Sequence, residues 1–132
     1  MGYLLSMVPR ILIVDDEDDF IELLQYKLGG HGYELHVAND GVHALSQARL
    51  LKPDLILLDI LLPDLDGLSV CDILRRQPST KKIPVIFMSA LSSEVTRRTA
   101  SMQAVDFFTK PLDLPRLQKR IGELLHLAPL AN

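Results

Sequence analysis

The chain has 132 residues, 14 basic and 17 acidic, for a net charge of −3. That length suits one domain with a sizeable core, and 48% hydrophobic against 23% charged residues is the balance of a soluble globular protein. The charge balance gives no support for a nucleic-acid-binding surface, the single cysteine, Cys71, excludes an internal disulfide, and no apolar run approaches the length that spans a bilayer. Met1 to Pro9 lacks the charged start and long apolar core of a signal peptide. Met1 to Ser6 formally matches the N-myristoylation pattern, a match ascribed to chance because nothing else in the chain argues for a membrane. The expected compartment is the cytoplasm.

Arg10 to Val14 is a β-branched apolar run and reads as the first strand. Five acidic residues follow, Asp15 to Asp19, and then Phe20, Ile21, Leu23, Leu24 and Leu28 recur at helical spacing until Gly29-Gly30. Acids in a first turn suit the positive end of the helix dipole. Tyr33 to Ala38 alternates as a second strand, and Asn39-Asp40-Gly41 turns the chain into a helix from Val42 to Leu51, ended before Pro53. Asp54 to Leu58 is the most apolar run, a strand buried on both faces that delivers Asp59 at its end. After the Pro63-to-Gly67 loop comes a third helix through Leu74, closing near Gln77-Pro78. Ile83 to Met88 is the fourth strand, with Pro84 near its start, where a missing N–H is tolerable. Ser92 and Ser93 are candidate caps for a fourth helix reaching about Met102. Val105 to Phe108 is a short fifth strand, and Asp113 can cap a last helix carrying Leu114, Leu117, Ile121, Leu124 and Leu125 on one face.

A strand–helix unit repeated five times means an α/β fold: a parallel sheet with helices on both faces and right-handed crossovers. The expected division is an extension over 1–9, one domain over 10–128 and a tail over 129–132. On this scheme Asp15, Asp16, Asp59, Ser89 and Lys110 all follow strand C-terminal ends, the edge where open α/β sheets do their chemistry. Carboxylates gathered there repel one another. A hard divalent cation relieves that repulsion, which points to Mg2+, or Mn2+ in its place. A cation so held also binds phosphate oxygens. Lys110 and the Ser89 hydroxyl can engage others, and Asp59 becomes the candidate nucleophile forming an acyl phosphate.

Five segments carry a resemblance to a known family: Val14-Asp15-Asp16-Glu17, Leu57-Leu58-Asp59, Leu62-Pro63-Asp64-Leu65-Asp66-Gly67, Met88-Ser89-Ala90 and Phe107-Phe108-Thr109-Lys110-Pro111. In this order and at these strand ends, the chain resembles a response-regulator receiver domain of two-component signalling. The resemblance implies a flavodoxin-like (βα)5 fold, doubly wound, with strand order 2-1-3-4-5. It implies Asp59 as phosphoacceptor, Asp16 as direct metal ligand, Asp15 as holder of the metal's water shell, and the Leu61 backbone carbonyl as a further ligand. Ser89 would move to the new phosphate, Lys110 would pair with a phosphate oxygen, Phe107 would be the aromatic switch, and Pro111 would follow a cis bond. The donor would be a histidine kinase or histidine phosphotransfer protein. The signal would leave by the fourth helix, fifth strand and fifth helix; if the active form is a homodimer through this face, Asp106 and Arg120 would form a cross-subunit pair. Such a domain modifies itself but is no enzyme toward an outside substrate.

Two departures from the family pattern matter. Ser89 to Lys110 is 21 residues, one fewer than usual, and Gln103-Ala104 stands where the family has Gly-Ala. That glycine ends the fourth helix in a left-handed conformation, so a reorganised, shortened or mobile helix end is expected. Leu61 and Leu91 stand where the family places polar residues that position the hydrolytic water, so slow self-dephosphorylation is expected. Rival readings fit less well. An EF-hand fails at Phe20 and Tyr26, a phosphatase with an aspartyl nucleophile would want an acid at Leu61, and the four histidines show no metal-ligand spacing. A receiver-like module that binds partners without being phosphorylated is opposed by the intact set of Asp15, Asp16, Asp59, Ser89 and Lys110.

Overall fold

The apolar runs become one five-stranded parallel sheet in a computed structural model that describes residues 8–91 and 93–125. The elements are β1 (Arg10–Val14), α1 (Asp18–Leu28), β2 (Glu34–Ala38), α2 (Gly41–Leu51), β3 (Leu55–Asp59), α3 (Gly67–Arg76), β4 (Val85–Ser89), α4 (Glu94–Ser101), β5 (Asp106–Thr109) and α5 (Leu114–Leu125). The order across the sheet is β2-β1-β3-β4-β5, and each neighbouring pair is parallel. The expected doubly wound α/β architecture and strand order are therefore present.

Burial follows position in the sheet. All five residues of β3 and of β4 are buried, while the edge strands β2 and β5 are largely half-buried. A central parallel strand is covered on both faces, so its sequence can be apolar throughout. Successive side chains still divide between two layers. Leu12, Ile56, Leu58 and Phe87 meet α2, α3 and Ala100 of α4. Ile11, Leu57, Ile86 and Met88 meet α1 and α5 on the other face.

Caps set the helix starts. The carboxylates of Asp40, Asp66 and Asp113 accept from the amides of His43, Ser69 and Arg116, and the Ser93 hydroxyl accepts from Thr96. Ser92, the myristoylation match over Met1 to Ser6 and His126 lie outside the described residues. Pro84 falls just outside β4, yet its carbonyl still accepts from Ile56 (3.0 Å). The largest departure lies after α4. This helix has only eight residues and stops at Ser101. The Met102 and Gln103 amides donate to carbonyls three residues back, on Thr99 (3.3 Å) and Ala100 (3.1 Å), so the end tightens into a right-handed turn. Without glycine, no left-handed residue terminates this helix.

Candidate functional site

The strand register brings the predicted residues together. Val14 lies beside Leu58, Asp59 beside Met88, and Ser89 beside Thr109. Asp15, Asp59, Ser89 and Lys110 thus meet at one edge, and Asp15, Asp59 and Ser89 are buried. Lys110 donates to Asp15 Oδ2 at 2.7 Å and to Asp59 Oδ2 at 3.0 Å. The other oxygen of each acid is held by backbone: Asp15 Oδ1 accepts from Glu17 N (2.9 Å) and Asp59 Oδ1 from Leu61 N (3.1 Å). Each carboxylate is therefore fixed at both oxygens, which removes the freedom a nucleophile or ligand would otherwise lose on reacting.

The loop after β3 is held just as closely. Gly67 N donates to the Ile60 carbonyl at 2.7 Å. A Cβ at Gly67 would collide with the backbone of Asp59 and Ile60, so only glycine lets α3 begin there. Asp64 accepts from the Gly41 and Val42 amides (2.7 and 3.0 Å), tying this loop to the start of α2. Those amides, Gly41's foremost, hold the Asp64 carboxyl down at about 2.

Electrostatics single out Asp59. Burial pushes its carboxyl up to about 6; Lys110 works against that shift, and Asp15 adds to it. Burial alone would lower the Lys110 ammonium, but its hydrogen bonds to Asp15 and Asp59 outweigh burial and raise it. Carboxylate oxygens of Asp15, Glu17 and Asp59 lie within 4.8 Å of one another. One ammonium faces these three acids, so an all-oxygen donor set with excess negative charge is left, the chemistry that suits Mg2+.

Glu17 is the residue the sequence reading missed in this role. It joins the group and also pairs with Lys110 at 3.1 Å. Asp16, expected as the direct ligand, is exposed and lies outside that group. β1 ends at Val14, and Asp16 stands in the bend before α1, where no strand alternation fixes its side chain toward the edge. The only available signal was the spacing of two between Asp15 and Glu17.

The remaining predicted residues lie around the rim. The Ser89 hydroxyl accepts from Leu91 N at 3.1 Å. Leu61 and Leu91 are 49% and 42% exposed. Phe107 is half-buried against the layer that includes α3, with the Arg97 guanidinium 5.1 Å from its ring centroid. The Lys110–Pro111 peptide bond is cis. Beside Lys110 opens a shallow cleft of about 580 Å³, walled by Phe20, Leu23, Ala90, Pro111, Leu112 and Leu114.

A model of the response regulator receiver domain matches residues 11–122. The chain belongs to this family. It is 38% identical over 126 residues to the alkaline phosphatase synthesis transcriptional regulatory protein PhoP of Bacillus subtilis, covering 95% of this chain and 52% of that protein. It is 39% identical to the DNA-binding regulator RpaA of Synechocystis, covering 89% of this chain and 49% of the relative. The receiver thus spans about half the length of these relatives. Among solved structures, a putative response regulator from Chloroflexus aurantiacus superposes with a TM-score of 0.83 at 34% identity, covering 89% of this chain and 98% of that one. A receiver domain of a Syntrophus aciditrophicus histidine kinase gives 0.82 at 33% identity, covering 92% and 93%. Receiver domains are phosphorylation-dependent signalling switches rather than enzymes in the ordinary sense. They bind Mg2+ at an acidic cluster, and response regulators work with histidine kinases or phosphotransfer proteins. Among the described residues no helix is long and apolar enough to cross a membrane.

Proposed function

We propose that Asp59 is the phosphoacceptor and that the receiver changes its α4–β5–α5 face when Asp59 is phosphorylated. The observation that carries this reading is the double fixation of a buried carboxylate, by Leu61 N on one oxygen and Lys110 on the other. A phosphohistidine is the expected donor. An Asp59 oxygen forms the new bond to phosphorus as the P–N bond breaks, and the imidazole leaves with the electron pair. Asp15, Asp59 and the Leu61 carbonyl would hold Mg2+, with Glu17 or Asp16 completing the acidic set. When bound, the cation offsets charge on the phosphoryl oxygens. Lys110 turns from the carboxylates to a phosphoryl oxygen, and Ser89 exchanges its bond to Leu91 N for another. That move opens space for Phe107 and biases two states of the β5 side.

Incubation with acetyl phosphate and Mg2+ tests the reading by intact mass. One phosphate adduct is expected, absent in D59N. No adduct in the wild-type chain would favour the partner-binding module that is never phosphorylated. Leu61 and Leu91 flank the acyl phosphate with apolar side chains and slow its hydrolysis. L61N is therefore expected to shorten the phosphate lifetime several-fold, and an unchanged lifetime counts against that role.

The output partner is a surface that reads α4–β5–α5, and a homodimer through this face is the simplest form. Within one chain Asp106 already pairs with Arg120 at 3.1 Å. A cross-subunit pair would have to replace that contact.

A further inference from the structure

Lys110 is gripped from two sides. Its ammonium donates to Asp15, Asp59 and Glu17 at 2.7, 3.0 and 3.1 Å, so all three N–H bonds are in use. Against the same nitrogen lies the ring of Phe20, its centroid 4.1 Å from Nζ. An ammonium at that distance from an aromatic ring is attracted by the ring's negative face. Phe20 stands in the first turn of α1, three residues after Glu17, and its half-buried ring packs on the layer formed with α1 and α5. Packing, not solvent, therefore sets its position.

The two grips respond differently to the reaction. The carboxylates are reassigned as phosphoryl transfer proceeds. Asp59 takes the new bond, and the other acids face a cation. Lys110 must then leave at least one carboxylate for a phosphoryl oxygen. The ring takes no part in that exchange, so its hold on the ammonium counts most when carboxylate bonds have been given up and the bond to the phosphoryl oxygen is only forming. We propose that Phe20 is a positioning residue for Lys110, its ring face keeping Nζ at the mouth of the acidic pocket while the polar partners change. This rests on Asp59 being the phosphoacceptor.

Two readouts test it. The first needs no phosphorylation. Protons on the Lys110 ε-carbon should carry an upfield ring-current shift in NMR spectra of the wild-type chain. F20L, which keeps apolar bulk but removes the ring, should abolish that shift, and F20W should keep it. An unchanged Lys110 signal in folded F20L overturns the proposal. The second readout is the rate of phosphate uptake from acetyl phosphate with saturating Mg2+. F20L is expected to slow uptake roughly twofold to thirtyfold, the range such contacts span, with Mg2+ affinity unchanged. F20W should restore the rate. In a K110M background, F20L should change the residual rate less than about twofold, because the cation it positions is gone. Equal slowing by F20L with and without Lys110, or a parallel loss of Mg2+ affinity, overturns the proposal by assigning Phe20 a general structural role. If the wild-type chain takes up no phosphate at all, the phosphoacceptor reading fails instead, and the NMR comparison still decides the Phe20 contact.

Discussion

Helices α3 and α4 cover the same face of the sheet but are attached to it differently. α3 buries Gly67, Val70, Cys71 and Leu74, whereas α4 buries only Ala100. Val95, in the first turn of α4, is 71% exposed, and Met102 just beyond its end is 80% exposed. What holds the α4 region is mainly polar. Arg97 reaches β5 by a 2.6 Å bond to Thr109 Oγ1 and lies over Phe107. Arg75 of α3 clamps the Gln103 carbonyl with Nε at 3.0 Å and Nη2 at 2.9 Å. Apolar burial is non-directional and resists any displacement. Directed contacts can be exchanged for others at little net cost. The contrast separates a fixed wall from a movable one, and the movable wall lies beside Ser89 and Phe107.

Truncating the fixed wall gives the largest expected effect. Leu74 is 1% exposed within the core layer. L74A should therefore cost about 2–5 kcal/mol of stability in urea denaturation. The counterpart on the movable wall, V95A, should change stability by less than about 0.5 kcal/mol. Similar losses in the two variants would remove the distinction between the helices.

The clamp between the walls comes next. R75M keeps the apolar stem but removes every guanidinium bond, including the one from Nη1 to the Lys81 carbonyl at 3.2 Å. The Gln103 carbonyl then keeps only the distant Cys71 thiol, at 3.8 Å. A loss of about 1–2 kcal/mol is expected. Faster amide exchange at Ala104 and Val105 should accompany it. If exchange there stays at the wild-type rate, the right-handed turn after Ser101 holds the junction without Arg75.

This division also marks what the sequence could convey. β3 was legible because a strand covered on both faces must be apolar throughout, and Asp59 stood out as the one acid ending it. Asp15, Ser89 and Lys110 were legible for the same reason, since parallel strands deliver their next residues to one edge. The missing glycine at Gln103 pointed to the altered end of α4, because only the backbone is at stake there. What replaces that glycine was not legible. Arg75 lies 28 residues from Gln103 in sequence, and nothing local marks a guanidinium as a cap for a distant carbonyl. Glu17 was hidden similarly: acids in a first turn suit a helix dipole whether or not they face a lysine 93 residues away. Asp16 was favoured by resemblance; here it is exposed and lies outside the group formed by Asp15, Glu17 and Asp59. Residues placed by strand periodicity could be read, while those placed by the reach of a long side chain between elements could not.

A smaller effect on stability than that of Arg75 falls on Arg97, and it bears most directly on switching. Its guanidinium is exposed, so the contact with the Phe107 ring contributes about 0.5–1 kcal/mol, and the bond to Thr109 adds little in water. R97A should cost no more than about 1 kcal/mol in urea denaturation. Yet this residue is the polar tie between the middle of α4 and β5, and it lies over the ring proposed to turn when Ser89 moves. Removing it should lower the free energy needed to shift α4 while leaving the buried side of α3 untouched. The expected result is faster hydrogen exchange across Glu94–Ser101 in unphosphorylated R97A, with exchange across Gly67–Arg76 unchanged. Phosphorylation should then add less to α4 exchange than it does in the wild-type chain, because part of the loosening has already occurred. Equal acceleration in both helices would mean that α3 and α4 move as one body, and that Arg97 is a surface contact with no part in the switch.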